Sequence, residues 1–150
     1  PMIEIVRTNA ENTDFQHLVS ELDELTRQRD GADHDFYFQF NGIESLRHVL
    51  VAYEAGVPLA CGEIKPHGER AMEVKRMYVR AAARGRGIAT ELLRGLEHWA
   101  RELGRERCVL ETGVRYPEAI ALYRKNDYQP IPNYDQYENV ATSRCFGKAL

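Results

Sequence analysis

One stretch constrains this 150-residue chain more than any other. Over residues 73–104, EVKRMYVRAAARGRGIATELLRGLEHWARELG, the apolar pattern changes its period. The segment EVKRMYV reads as a strand ending near Val79. After the loop, Ile88, Leu92, Leu93, Leu96, Trp99, Ala100 and Leu103 fall on one stripe of a helix, and Gly104 is a natural stop. A helix that starts at such a loop leaves its first N–H groups without intrahelical partners. Together with the helix dipole they make a site for an anion. Gly85 and Gly87 lack a Cβ, so the backbone can come close to a ligand. Arg84 and Arg86 add guanidinium donors that suit phosphate oxygens. The alternative is a tight turn with two solvated arginines.

The flanking sequence builds one domain over residues 1–150. MIEIVR alternates like a strand. Phe15, Leu18, Val19, Leu22 and Leu25 are spaced as a helix, with Thr13 and Gln16 as a capping box. Residues 48–79 read as three antiparallel strands with turns at 56–58 and 66–69. RCVLET is a further strand, Pro117 opens a helix running to about Asn126, and ATSRCFGKAL closes the order as a strand. The class is α+β, a mixed, mostly antiparallel sheet flanked by helices.

Composition narrows the ligand. No apolar run reaches 18 residues, so no membrane span is expected. The N-terminal stretch has no charged-then-apolar signal pattern. Cys61, Cys108 and Cys145 are dispersed, and no metal-ligand spacing occurs among cysteines or histidines. Buried fillers in a reducing cytoplasm fit them, with no metal. Net charge is -3 and no basic-aromatic interleaving occurs, so no nucleic-acid partner is expected. The charge is uneven: residues 1–35 carry nine acids and three bases, and residues 75–107 carry nine bases and four acids. That points to an anionic ligand at the middle and a cationic one near the N-terminus, or to solvated helix faces. A diphosphate suits the loop. The P-loop Lys and Ser/Thr are missing, and Thr90 stands where a dinucleotide fingerprint has its third glycine.

Three motifs in order carry a resemblance. Arg84-x-x-Gly87-x-Ala89 resembles the cofactor loop of the GNAT superfamily of acyl-CoA-dependent N-acyltransferases. EVKRMYV resembles that family's central strand, and PEAIALYRKNDY its last helix. The element order matches over essentially the whole chain. The resemblance implies a splayed central strand and acetyl-CoA as co-substrate. Backbone groups of Arg84, Gly85, Arg86, Gly87, Ile88 and Ala89, with the Thr90 hydroxyl, would hold the coenzyme A diphosphate. Met77, Tyr78 and Val79 would pair with the pantetheine arm, and an N–H there would polarise the thioester carbonyl.

It also implies a base and an acid. The attacking amine must be neutral. Glu73, four residues before Met77, is the candidate base, on the expectation that both side chains share a strand face. Glu63 and Glu111 are reserves, and a surface or ion-paired Glu73 beside Lys75 or Arg76 is the alternative. Tyr123 holds the position of the family's general acid; the alternative is a core tyrosine. Two positions depart from the family pattern. Tyr116 stands for an asparagine that contacts the pantetheine arm, and Asp127 for a glycine after the last helix.

The acceptor would be an amine. Phe36, Tyr37, Phe38, Phe40, Tyr134 and Tyr137 lie among Asp30, Asp33, Asp35 and Asp135. An aromatic and acidic wall suits a cationic amine with an apolar body. The same aromatics would equally form core or a homodimer contact. A non-catalytic acyl-CoA-binding or regulatory module is the second functional reading.

Overall fold

The computed structural model describes residues 2–31 and 48–150. In chain order come β1 (Ile3–Thr8), α1 (Thr13–Asp30), β2 (His48–Glu54), β3 (Val57–His67), β4 (Ala71–Val79), α2 (Ile88–Glu102), β5 (Arg107–Gly113), α3 (Pro117–Lys125), β6 (Gln129–Ile131) and β7 (Ser143–Ala149). The strands form one sheet in the order β1-β2-β3-β4-β5-β7-β6. Only β4 and β5 pair in parallel; every other neighbouring pair is antiparallel. The α+β class and the mixed sheet expected from sequence are both present.

The two longest helices cover opposite faces. Strand side chains alternate, so Leu50, Ala52, Ala60, Met72 and Val74 point to one side. There they bury the stripe Ile88, Leu92, Leu93, Leu96 and Ala100 of α2. Val49, Val51 and Cys61 point the other way, against Phe15, Leu18 and Val19 of α1. Each fully buried leucine of α2 contributes roughly 1.5–3 kcal/mol. Trp99 is only partly buried, and Leu103 lies past the helix end, largely exposed. The N-cap of α1 is Asn12, one residue earlier than the expected Thr13: its side chain accepts the Phe15 N–H at 2.8 Å. Asparagine caps at least as well as threonine. Gln16 supplies no reciprocal bond to the cap and donates instead to Ala10 C=O at 3.0 Å. The three cysteines are buried and free.

The feature that creates a site is the parting of β4 from β5. Their ladder holds only Ala71–Arg107, Met72–Cys108 and Glu73–Val109. On its other edge β4 carries a bulge: Cys61 faces Tyr78 and Glu63 faces Lys75, so β4 spends one residue more than β3. Arg76 sits in it with φ 60. A non-glycine residue held there costs roughly 1–2 kcal/mol. Its guanidinium donates to Asp23 on α1 at 2.9 Å, and its C=O accepts from Cys61 Sγ at 3.4 Å.

The bulge inverts the alternation of β4. Met72 and Val74 face α2, and so do Met77 and Val79 beyond it. Tyr78 faces α1. Glu73 and Met77, expected on one face, therefore lie on opposite faces. The extra residue breaks the period of two.

The uneven charge is partly internal. Arg80 of the β4 end pairs with Glu21 of α1 at 2.6 Å, and Tyr78 donates its hydroxyl to the same carboxylate. Asp23 takes Arg76, and Arg7 pairs with Glu102 at 2.5 Å. Acids of the first helix thus neutralise bases of the middle strand. Part of the N-terminal acidity, Glu21 and Asp23, is engaged in pairs within the fold.

Candidate active site

The glycine loop lies where β4 hands over to α2. Gly85 and Gly87 have φ 78 and 77, which glycine adopts without strain. A Cβ built at either would meet nothing of the chain within 4 Å, so the loop faces open space. The helix ladder begins with Glu91 N–H donating to Gly87 C=O at 3.1 Å. The amides ahead of it project from the helix mouth. This cradle fits a diphosphate. Both arginines are exposed but engaged: Arg84 Nε donates to Val79 C=O at 3.0 Å, and Arg86 pairs with Glu54. Asn126 donates to the Thr90 hydroxyl at 3.4 Å, tying the end of α3 to the loop. Ile88 is buried in the core, so only its backbone can serve a ligand.

A cavity of about 340 Å³ leads inward from Arg84 and Ala89 along Tyr78 and Val79. A second, of about 180 Å³, occupies the parting of β4 and β5 and holds Glu73, Lys75 and Glu111. Met77, Tyr116 and Tyr123 line both. Arg80 N–H donates to Leu59 of β3 at 2.9 Å. Alternation back along β4 then turns the main chain of Tyr78 toward β3 and that of Met77 and Val79 into the gap. The Arg84 bond to Val79 C=O fits that direction. Of the three residues expected to pair with a pantetheine arm, Met77 and Val79 offer main-chain groups, and Tyr78 offers only its surface.

Three carboxylates lie nearby: Glu73 and Glu63 are buried, and Glu111 is half-buried. Glu73 is 4 % exposed; its Oε2 accepts the Tyr134 hydroxyl at 2.7 Å and Lys65 Nζ stands 4.0 Å from Oε1. It is neither a surface residue nor paired with Lys75 or Arg76. Glu111 bonds the Ser143 hydroxyl, yet its Oε2 is buried with no hydrogen-bond partner among the described residues. Burial pushes its carboxyl up to about 7. Glu63 is fully buried with both oxygens lacking hydrogen bonds, 3.9 Å from Arg76 Nε, and burial pushes it up to about 8.

These raised carboxyls set a pH dependence of stability. Between pH 5 and pH 8 the native state keeps protons that the unfolded chain has already released. Stability therefore falls as pH rises through that window. Glu63→Gln is expected to flatten urea-unfolding free energies over the window, by up to about 1.4 kcal/mol per pH unit. Equal slopes for variant and wild type would contradict the assignment.

Tyr123 is buried on α3 in the main core and also borders both cavities. The acid and core readings are thus compatible in space. Burial, then the charge of Glu111, raises its phenol far above the usual range. Tyr116, in the family's asparagine position, donates to Asp30 at 2.9 Å, with the Arg29 guanidinium 5.1 Å from its ring centre. It bolts the end of α1 to the start of α3. Asp127, with φ 71, takes the left-handed position where the family has glycine.

The expected acceptor wall is partly present. Tyr137 and Asp30 line the smaller cavity, and Tyr134 reaches Glu73. Asp135 is exposed, 3.7 Å from His67. Asp33, Asp35, Phe36, Tyr37, Phe38 and Phe40 lie outside the described residues. Sequence reasoning placed Tyr134 in that wall but missed its bond to Glu73, and it gave Lys75 no place in the site. Among the described residues no cluster of His, Cys, Asp or Glu could hold a metal, and no helix is long and apolar enough to cross a membrane.

Comparison with known proteins agrees with this geometry. Residues 12–128 match the Acetyltransferase (GNAT) family, and the chain belongs to that family. An IAA acetyltransferase of Azospirillum brasilense is 44% identical over 80 residues, 53% of this chain and 52% of the relative. Rattus norvegicus N-acetyltransferase family 8 member 2 is 28% identical over 117 residues, 78% of this chain and 48% of the relative. The chain thus spans about half the length of these curated relatives. A solved Klebsiella pneumoniae structure, assigned as an acyl-CoA N-acyltransferase, superposes with TM-score 0.84 at 27% identity, covering 99% of this chain and 98% of the other. The Thermoplasma acidophilum PaiA N-acetyltransferase, solved with coenzyme A, has TM-score 0.75 at 17% identity over the full length of both chains. The fold is that of the GNAT family, and acetyl-CoA fits it as co-substrate.

Proposed function

We propose that this chain transfers an acetyl group from acetyl-CoA directly to a primary amine. The observation that carries this reading is the adjacency of the two cavities, which share Met77, Tyr116 and Tyr123 beside the parting of β4 and β5. One cavity begins at the glycine loop and the other ends at carboxylates, so donor and acceptor would meet at the gap. The backbone of Arg84, Gly85, Arg86, Gly87, Ile88 and Ala89 holds the diphosphate, with Thr90 beside it. Main-chain N–H groups of Met77 and Val79 orient the arm and polarise the acyl carbonyl. Acetyl-CoA supplies the thioester. Glu73, the candidate base, meets the acceptor ammonium and orients it for deprotonation. Tyr123, kept protonated by burial, gives its proton to the departing sulfur. The acceptor is a cationic amine with an apolar body, drawn to the Glu73, Glu111 and Tyr137 side of the gap.

Two measurements test this. Acetyl-CoA at a hundredfold its Kd should raise stability by about 2.7 kcal/mol. ATP or NAD should raise the Tm less. Thiol release from acetyl-CoA should then depend on an added primary amine from a panel of mono-, di- and aromatic amines and amino acids. Tight coenzyme A binding with no amine-dependent thiol would leave an acyl-CoA-binding module in place of an enzyme.

A further inference from the structure

We propose that Glu111 is the group that receives the proton lost by the acceptor amine, with the Glu73 carboxylate positioning the ammonium beside it. This rests on the acetyl-transfer reading above.

The placement comes first. Glu73 and Val109 form the last rung between β4 and β5, and Glu111 is the next residue on the same face of β5. Its carboxyl therefore stands where the two strands separate, and it lines the gap cavity with Glu73 and Tyr123. The bonding differs between the carboxylates. Glu73 already accepts from Tyr134 at 2.7 Å and has Lys65 at 4.0 Å, so both its oxygens have partners within the fold. Glu111 has one buried oxygen with no hydrogen-bond partner among the described residues, while the residue itself lines the gap cavity. The groups acting on it are Glu73 and Lys75 on β4, Asp30 on α1, Tyr123 on α3, Cys145 and Ser143 on β7, and Tyr137. Two acidic neighbours and burial favour its neutral form; Lys75 and the Ser143 hydroxyl oppose that. Burial dominates and brings the carboxyl to about 7, where it can both take a proton and release it.

The protons balance as follows. The ammonium N–H bond breaks and an O–H bond forms on Glu111, directly or through one water. The freed nitrogen lone pair forms the N–C bond to the acyl carbon, and the C–S bond breaks onto sulfur. Tyr123 protonates the sulfur, and the nitrogen's second proton restores Tyr123 through water. The proton on Glu111 leaves to solvent. Overall, ammonium and thioester become amide, thiol and one released proton.

The test uses the intact chain, acetyl-CoA and the amine of the panel that releases most thiol. Wild-type kcat/KM should rise with pH through a limb near pH 7. Glu111→Gln should lose that limb and fall by about tenfold to a hundredfold, with acetyl-CoA affinity unchanged. Glu73→Gln should keep the limb and raise KM for the amine. Glu111→Asp, which keeps a titrating carboxyl, should retain a limb at reduced rate. Carboxyl-carbon NMR of the wild-type chain, assigned through Glu111→Asp, should show Glu111 titrating near pH 7. Retention of limb and rate in Glu111→Gln, or titration of Glu111 below pH 5, would overturn this assignment alone. A wild-type chain whose thiol release no amine of the panel increases removes the acetyl-transfer reading, and the base assignment with it.

Discussion

A Tyr123→Phe chain is expected to turn over about a thousandfold more slowly, within the range for loss of a positioned general acid. Its affinity for acetyl-CoA and its stability should stay close to wild type. The phenol ring fills a core position on α3 and packs edge-on against Tyr128 at 5.8 Å between ring centres, and phenylalanine keeps that contact. The substitution removes a single oxygen atom. No described residue is recorded as hydrogen-bonding that hydroxyl, so its loss strands no partner inside the protein. Tyr123 borders both cavities, beside the gap where a departing sulfur would lie on the acetyl-transfer proposal. Single-turnover thiol release, read beside a calorimetric titration with coenzyme A, separates chemistry from binding. A variant with wild-type kcat would reduce Tyr123 to a packing residue.

The second large effect is on binding. Gly87→Val should weaken acetyl-CoA by about a hundredfold, close to 2.7 kcal/mol. Two causes add. Gly87 sits at φ 77, and forcing a β-branched residue there costs of order 1–3 kcal/mol. The added side chain would also enter the open space in front of the helix mouth, since no atom of the chain lies within 4 Å of its Cβ. Backbone amides could then no longer close on a diphosphate. Isothermal titration with coenzyme A, and with dephosphorylated pantetheine as a control that does not use the loop, checks it. Equal losses for both would mean that the substitution damaged the fold generally.

How much of this could be read from the chain depends on how local each signal is. The switch from strand to helix over residues 73–104 was legible because glycines and an apolar stripe encode it in adjacent residues. The final helix was legible for the same reason, with Pro117 at its start. The cap of α1 moved from Thr13 to Asn12 because two good capping residues stand side by side. The bulge at Arg76 left no such mark. No glycine announces it; an arginine holds the strained conformation because Asp23, 53 positions away, takes its guanidinium. The face of Met77 was misplaced as a result. The bond from Tyr134 to Glu73 spans 61 positions, and the pairing of Glu21 with Arg80 spans 59. Contacts of that separation come from the closed sheet and have no counterpart in spacing along the chain.

The inserted residue in β4 has a consequence for how such a chain can diversify. It acts as a phase shift that sends Met77 and Val79 to one side of the sheet while Glu73 and Lys75 stay on the other. On the acetyl-transfer proposal, the groups that would orient the carrier and those that would meet the amine thereby sit on separate surfaces of one strand. On the same proposal, substitutions at Glu73 or Lys75 should alter amine acceptance more than the hold on coenzyme A, and substitutions at Val79 the reverse. Loss of that one residue would exchange the two surfaces and scramble both at once.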